Sequence, residues 1–218
     1  MGVIPAAGRA LRLQPLTGSK ELLSVRGRPV LEYLVERMRV VEPDELRIVT
    51  RPDKGDLAEH ARAAGLTLVE GEPETAAESI ALGAEDLAAE DVVLIGFPDT
   101  VWDPVDGYAR LLPRLEEADV VLGAFRGSSD EQLRRSDVVV LDGDRVTRID
   151  VKSDRPGSDL IWGLAVARRR ALDGLGGHVH PGRLFDEQAR AGRGAIAVRL
   201  TGAFLDIGTP EALEAAQS

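Results

Sequence analysis

Residues 1–33 read MGVIPAAGRALRLQPLTGSKELLSVRGRPVLEY. Val3 and Ile4 form an apolar, strand-like run that leads into the small-residue turn Ala6-Ala7-Gly8. A basic loop follows, carrying Arg9, Arg12 and Lys20, and a helix-like segment starts near Pro29. Strand, small turn, cations and helix are the parts of a phosphate-handling loop. Small residues let backbone N–H groups approach an anion, and Arg and Lys supply charge. The spacing lacks the Gly-Lys-Ser/Thr of a Walker loop and is not G-x-G-x-x-G. The bland alternative is a strand–loop–helix with solvated cations.

Outward from this stretch, strand-like and helix-like segments alternate. Strands are expected at Val3 to Ala6, Leu46 to Thr50, Leu66 to Glu70, Val92 to Gly96 and Val120 to Phe125, all short and rich in Val, Ile and Leu. Helices are expected between them at Val30 to Val41, Lys54 to Ala64, Ala76 to Ala88 and Val105 to Glu117, with Pro29 and Asp53 at helix starts. This order predicts an α/β, doubly wound, mostly parallel sheet, whose ligands bind beyond the carboxyl ends of the strands. Val138 to Leu141, Asp142-Gly143-Asp144 and Arg145 to Val151 then read as a β-hairpin insertion. A strand (Leu160 to Ala167), a helix (Leu184 to Ala191), a strand (Ala195 to Leu200) and a helix from Pro210 follow. Arg155-Pro156-Gly157-Ser158 reads as a loop near the active site.

The 218 residues suit one domain spanning 1–218. A formal net charge of −10 argues against a nucleic-acid polymer as partner, though not against nucleotides. The absence of Cys excludes disulfide and thiolate chemistry. No run is long enough for a membrane span and no signal peptide precedes the first strand, so the cytoplasm is the expected compartment, with no membrane partner. Assembly into a homo-oligomer is left open.

The first 33 residues resemble the N-terminal signature of the sugar-phosphate nucleotidyltransferases, Ala-Ala-Gly-x-Gly-Thr-Arg-Leu-x-Pro-Leu-Thr followed by Lys. Ala6, Ala7, Gly8, Arg12, Leu13, Pro15, Leu16, Thr17 and Lys20 match, while Ala10 and Leu11 replace Gly-Thr. Ser19-Lys20-Glu21-Leu22 is similar to the glucose-1-phosphate thymidylyltransferase-like branch. The resemblance implies a Rossmann-like nucleotidyltransferase fold. It also implies transfer of a nucleotidyl group from a nucleoside triphosphate, dTTP favoured, to a sugar 1-phosphate, with Mg²⁺ as cofactor.

By the same resemblance, Ala6, Ala7 and Gly8 bind nucleotide, and Arg12 and Lys20 hold the triphosphate. In Gly96-Phe97-Pro98-Asp99-Thr100, Asp99 matches a metal carboxylate; a turn or cap Asp is the structural alternative. Phe204 to Glu211, FLDIGTPE, resembles a C-terminal signature in which Asp206 is the second metal carboxylate, and two carboxylates suit Mg²⁺. Lys152 matches the Lys of a Glu-Lys-Pro segment that holds the sugar phosphate, or is a solvated surface lysine. Gly163 matches a glycine beside the sugar, or serves packing. Thr75 falls at a base-binding position and is equally a helix cap with Glu78. His178 and His180 lack a third ligand for zinc.

Several family features are missing. Ser136-Asp137 stands where the pattern has Tyr-Gly, and Pro181-Gly182-Arg183 occupies the region of a Glu-x-Thr-Asp sugar motif. The chain ends soon after the last helix, so no appended assembly domain is expected. Two alternatives stay open: CTP, UTP or GTP used on another phosphate acceptor, and a catalytically inactive nucleotide-sugar sensor.

Overall fold

The apolar runs become strands because a sheet covered on both faces wants side chains that are apolar on both. The computed structural model describes residues 1–10 and 16–217. In chain order the first half holds β1 (Gly2–Pro5), β2 (Ser24–Val25), β3 (Arg28–Pro29), α1 (Val30–Arg39), β4 (Leu46–Thr50), α2 (Gly55–Ala63), β5 (Thr67–Glu70), α3 (Ala76–Gly83), β6 (Val92–Gly96), β7 (Thr100–Trp102) and α4 (Gly107–Leu111). The second half holds β8 (Val120–Arg126), α5 (Asp130–Arg135), β9 (Asp137–Asp142), β10 (Arg145–Val151), β11 (Leu160–Arg168), α6 (Pro181–Arg190), β12 (Ala195–Arg199), β13 (Phe204–Asp206) and α7 (Pro210–Gln217).

Nine strands form one sheet in the order β5-β4-β1-β6-β11-β8-β12-β10-β9. β5, β4, β1 and β6 pair in parallel, as do β8 and β12. β11 lies antiparallel between β6 and β8, and the β9–β10 hairpin closes the far side, with β9 also touching β11. Only β10 and β11 run against the other seven, so the sheet is mixed in its pairings and mostly parallel in strand direction. One face packs Leu34, Ile48, Trp102, Tyr108 and Phe125 under α1, α2 and α4. The other packs Ile80, Val93, Trp162, Leu184 and Phe185 under α3 and α6. Two covered faces make the sheet doubly wound, as the alternating pattern predicts.

Where boundaries differ from expectation, the local chemistry shows why. The helix expected over Val105 to Glu117 is α4 followed by a 3₁₀ turn, Leu112–Glu116, because Pro113 has no N–H to give the α ladder. Asp53 does not start α2; Lys54 is the residue before it. α3 stops at Gly83, well short of Ala88. Not anticipated were the short helix α5, the small β2–β3 ribbon, and the ribbon pairing β7 with β13 in the register Phe204↔Trp102, Leu205↔Val101, Asp206↔Thr100. Three-residue strands leave too little periodicity to read.

Gly83 is the close-packing point of α3 on the sheet. A Cβ there would lie 2.6 Å from Val3 Cγ1 and 2.9 Å from Val49 Cγ2, both on β-branched strand residues that cannot swing away. Gly83→Ala is expected to destabilise the fold by about 1–3 kcal/mol through overpacking, despite the better helix propensity of Ala. Urea unfolding of the variant checks this; an unchanged or higher midpoint would show that α3 rides free of β1 and β4.

Candidate active site

The turn after β1 is pinned before any ligand arrives. Ala6 N–H donates to Val49 O at 2.8 Å, and Ala6 O accepts from Lys54 Nζ at 2.7 Å. Lys54 also donates to both oxygens of the fully buried Glu21 carboxylate at 3.0 Å. Ser19 donates from N and Oγ to Asp56, each at 2.7 Å. These bonds fix the segment on both sides of Lys20. Gly8 has open space around its missing Cβ, so it serves backbone access and not packing, whereas Ala10 adopts φ +52, a left-handed conformation that favours glycine. Arg12 lies outside the described residues.

Asp99 sits just past the carboxyl end of β6 and Asp206 at the end of β13. The β7–β13 register places Asp206 opposite Thr100, the residue after Asp99, and Ile207 N–H donates to Asp99 O at 3.0 Å. Gly208 N–H donates to Asp206 Oδ1 at 2.9 Å. Lys20 Nζ lies 2.6 Å from Asp99 Oδ2. Burial works against the Asp99 carboxylate, but the Lys20 ammonium outweighs it and holds the group below the usual carboxylate range. Burial likewise works against the Lys20 cation, and Asp99, Glu21 and Asp206 together hold it above the ordinary lysine value.

Ala7, Gly8, Lys20, Asp99, Asp206 and Lys152 all line one cleft of about 500 Å³. Lys152 is just past β10 on backbone with φ +47, and its N–H donates to Ser136 O at 3.2 Å. A lysine held in that region at a cleft is an observed strain of the kind that aims functional side chains. Thr75 does not line the cleft although Glu74 and Ala76 do. Its Oγ1 caps α3, accepting from Glu78 N–H at 3.0 Å, and donates to His178 O at 3.2 Å. Gly163 is also absent from the lining; a Cβ there would meet the Phe204 ring at 2.2 Å. Residues 155–158 lie outside the lining too, since Gly157 N–H donates to Asp150 and Ser158 Oγ to Val139 O, docking that loop on the hairpin. His180 reaches the cleft while His178 faces Glu187 at 3.7 Å, and no cluster of three metal-ligating side chains occurs among the described residues.

Other cleft residues escaped the sequence reading. Arg51 follows β4 as Asp99 follows β6, so the strand-end rule could have found it. It is buried, donates to Pro73 O at 3.2 Å and pairs with Glu72 and Glu74. Asp137 and Trp162 line the wall beside Lys152. Burial pushes the Asp137 carboxyl up to about 6, although Lys152 and Arg183 favour its anion.

Residues 2–190 match the family model described as a MobA-like NTP transferase domain. The chain is 25% identical to the UTP–glucose-1-phosphate uridylyltransferase AglF of Haloferax volcanii, over 96% of this chain and 91% of that protein. It is 29% identical to the bifunctional protein GlmU of Rhodopseudomonas palustris, over 79% of this chain and 38% of that one. In fold it is similar to a Bacillus anthracis protein assigned as a glucose-1-phosphate thymidylyltransferase, with TM-score 0.85, 18% identity, and 99% and 93% of the two chains covered. It is likewise similar to a UDP-glucose pyrophosphorylase solved with UDP-glucose, with TM-score 0.82, 16% identity, and 99% and 96% covered.

Asp137 carries a signed pH prediction. Its folded-state pKa is raised, so the folded protein binds the extra proton between the ordinary carboxylate range and about 6. Stability contributed by the neutral acid is therefore present at low pH and lost as pH rises through that window. Asp137→Asn removes the penalty. The variant is expected to be more stable than wild type by on the order of 2 kcal/mol at pH 7.5, with the gap closing by pH 4. Denaturant midpoints at the two pH values check this; a gap equal at both would mean that Asp137 titrates normally.

Proposed function

Because the chain belongs to the MobA-like NTP transferase domain family, we propose that it transfers a nucleotidyl group from a nucleoside triphosphate to a sugar 1-phosphate, releasing pyrophosphate. The observation that carries this reading is the convergence of the Ala7-Gly8 turn, Lys20, Asp99 and Asp206 on one cleft whose far wall bears Lys152. dTTP is the favoured donor and UTP the next, since both pyrimidine activities appear among the names of similar proteins.

The donor set suits a hard divalent cation. Asp99 and Asp206 offer only oxygen, lie at one end of the β7–β13 ribbon, and leave sites for phosphate oxygens and water, as Mg²⁺ prefers. Bound there, Mg²⁺ would offset the repulsion between these carboxylates and the phosphates. The remaining chemistry falls to the chain's own side chains. An oxygen of the sugar phosphate, already ionised at neutral pH, attacks the α-phosphorus in line. The bond to the bridging oxygen breaks and pyrophosphate takes the charge. No general base is required, so the protein contributes positioning and charge. Lys20 and Arg12 hold the triphosphate and leaving pyrophosphate, and Lys152 holds the incoming phosphate.

Pyrophosphate release over four triphosphates and a panel of sugar phosphates tests the reaction. A thymidylyl or uridylyl transfer is expected to lead. Calorimetry adds a second arm: triphosphate should bind more tightly with Mg²⁺, and Asp99→Asn should abolish that gain. Tight, metal-independent binding of a finished nucleotide sugar, with no pyrophosphate from any pair, would replace the transferase by a sensor.

Arg12→Ala is expected to lower kcat by on the order of 10²–10³ while leaving the unfolding midpoint nearly unchanged, the usual cost of losing one donor at a transferring phosphoryl group. Near wild-type turnover on the best substrate pair would remove Arg12 from the mechanism.

A further inference from the structure

A third, small apolar core lies apart from the two that cover the sheet. It joins Val25 of β2, Val30 of α1, Val101 of β7, Ile207, and Ala216 of α7. Val101 is the register partner of Leu205, and Leu205 and Ile207 flank Asp206 in the chain. The β7–β13 ribbon, the helix after it and the β2–β3 ribbon after Lys20 therefore share one apolar floor. Burial of this kind is non-directional, so it joins the three without fixing where α7 sits along its axis.

Gln217, the last residue of α7, supplies the direction. Its Oε1 accepts from Arg26 N–H at 3.1 Å and its Nε2 donates to Ser24 O at 2.5 Å. One amide meets a backbone donor and a backbone acceptor, and turning it over would lose both bonds. The anchor itself is firm. Arg26 at φ +48 and Gly27 at φ +84 close the β2–β3 ribbon in a two-residue turn. Tyr33 Oη donates to Val25 O at 2.9 Å, and Val30 N–H donates to Leu23 O at 2.9 Å. At the other end of α7, roughly 12 Å along its axis, residues 207–209 alone separate the helix from β13. In that connection Ile207 N–H meets Asp99 O and Gly208 N–H meets Asp206 Oδ1. A helix tied at its far end sets where this connection lies. Lys20 does not need the tie, because Ser19 is held by Asp56 and Glu21 by Lys54.

We propose that Gln217 is a positioning residue: by tying the far end of α7 to the β2–β3 ribbon, it holds the turn 206–208 in the cleft that Lys20 and Asp99 also line. The inference rests on the transferase reading for the role of Asp206 as a metal carboxylate. Two hydrogen bonds from an exposed amide add little to the stability of the whole fold. Their loss instead lets a short, peripheral ribbon open locally. The fraction of molecules with Asp206 in place then falls, and the affinity that depends on Asp206 falls by the same factor.

The test is calorimetry of dTTP with and without Mg²⁺, in wild type and Gln217→Ala. Wild type should bind dTTP more tightly with the metal. Gln217→Ala should lose about tenfold of that metal-dependent gain. Its metal-free affinity, which rests on Lys20 and the turn after β1, should be unchanged, a split that a merely structural defect would not give. Amide hydrogen exchange reads the same event without ligand: the Ile207 N–H should exchange about tenfold faster in the variant, while the amides of β1 and β4 keep their protection. If both results appear but no substrate pair releases pyrophosphate, the transferase reading fails and the role of Gln217 stands. The inference is overturned if wild type shows no gain with Mg²⁺, if Gln217→Ala keeps the full gain, if the metal-free affinity falls with it, or if Ile207 exchange is unchanged.

Discussion

One half-buried ammonium ties the front of this molecule together. Lys54 Nζ, just ahead of α2, reaches the Ala6 carbonyl, the first of the turn after β1, and both oxygens of a carboxylate with no solvent exposure, Glu21. Burial drives the Glu21 carboxyl up, and Lys54 and Lys20 pull it back. A buried ion pair is weak as a source of net stability, but removing either partner strands the other charge. What the pair supplies is position. It couples the ends of β1 and β4 to the segment that carries Lys20, so a loop of small and basic residues has a fixed floor. Fixed donors cost no reorganisation when charge moves, which is where phosphoryl-transfer catalysis gains most.

The architecture was legible where the sequence pattern is long and two-sided. Val92 to Gly96 and Leu46 to Thr50 match their strands to the residue, because apolar residues on both faces leave no alternative to a central strand. Helix ends were less legible, since Pro113 and Gly83 act through one hydrogen bond and one packing contact. The cleft residues Gly8, Lys20, Asp99 and Asp206 could be named from local motifs. Lys54, Glu21 and Asp56 could not, because their partners sit 33 to 48 positions away and charged residues in a loop carry no period.

The far wall differs in kind. There the family pattern has Tyr-Gly, and this chain has Ser136-Asp137. Read alone, that departure counts as a loss. In three dimensions Asp137 becomes a carboxylate in the cleft wall, beside Trp162 in the β9–β11 register. Ala10 is the opposite case. It stands where a glycine is usual and takes the left-handed conformation anyway, so the backbone path persists although the residue has changed. A motif departure is thus judged by the conformation and the neighbours it leaves behind.

The ribbon of β7 and β13 has a consequence for how the protein is made. Asp99 and Asp206 come to one cleft only when β13 pairs with a segment from the middle of the chain. A contact between such distant positions brings its reward only after the intervening chain has been ordered. The phosphate turn, by contrast, depends on residues of the first quarter. During synthesis the floor under Lys20 can therefore assemble before β13 has been made, and the cleft is completed only when β13 pairs with β7.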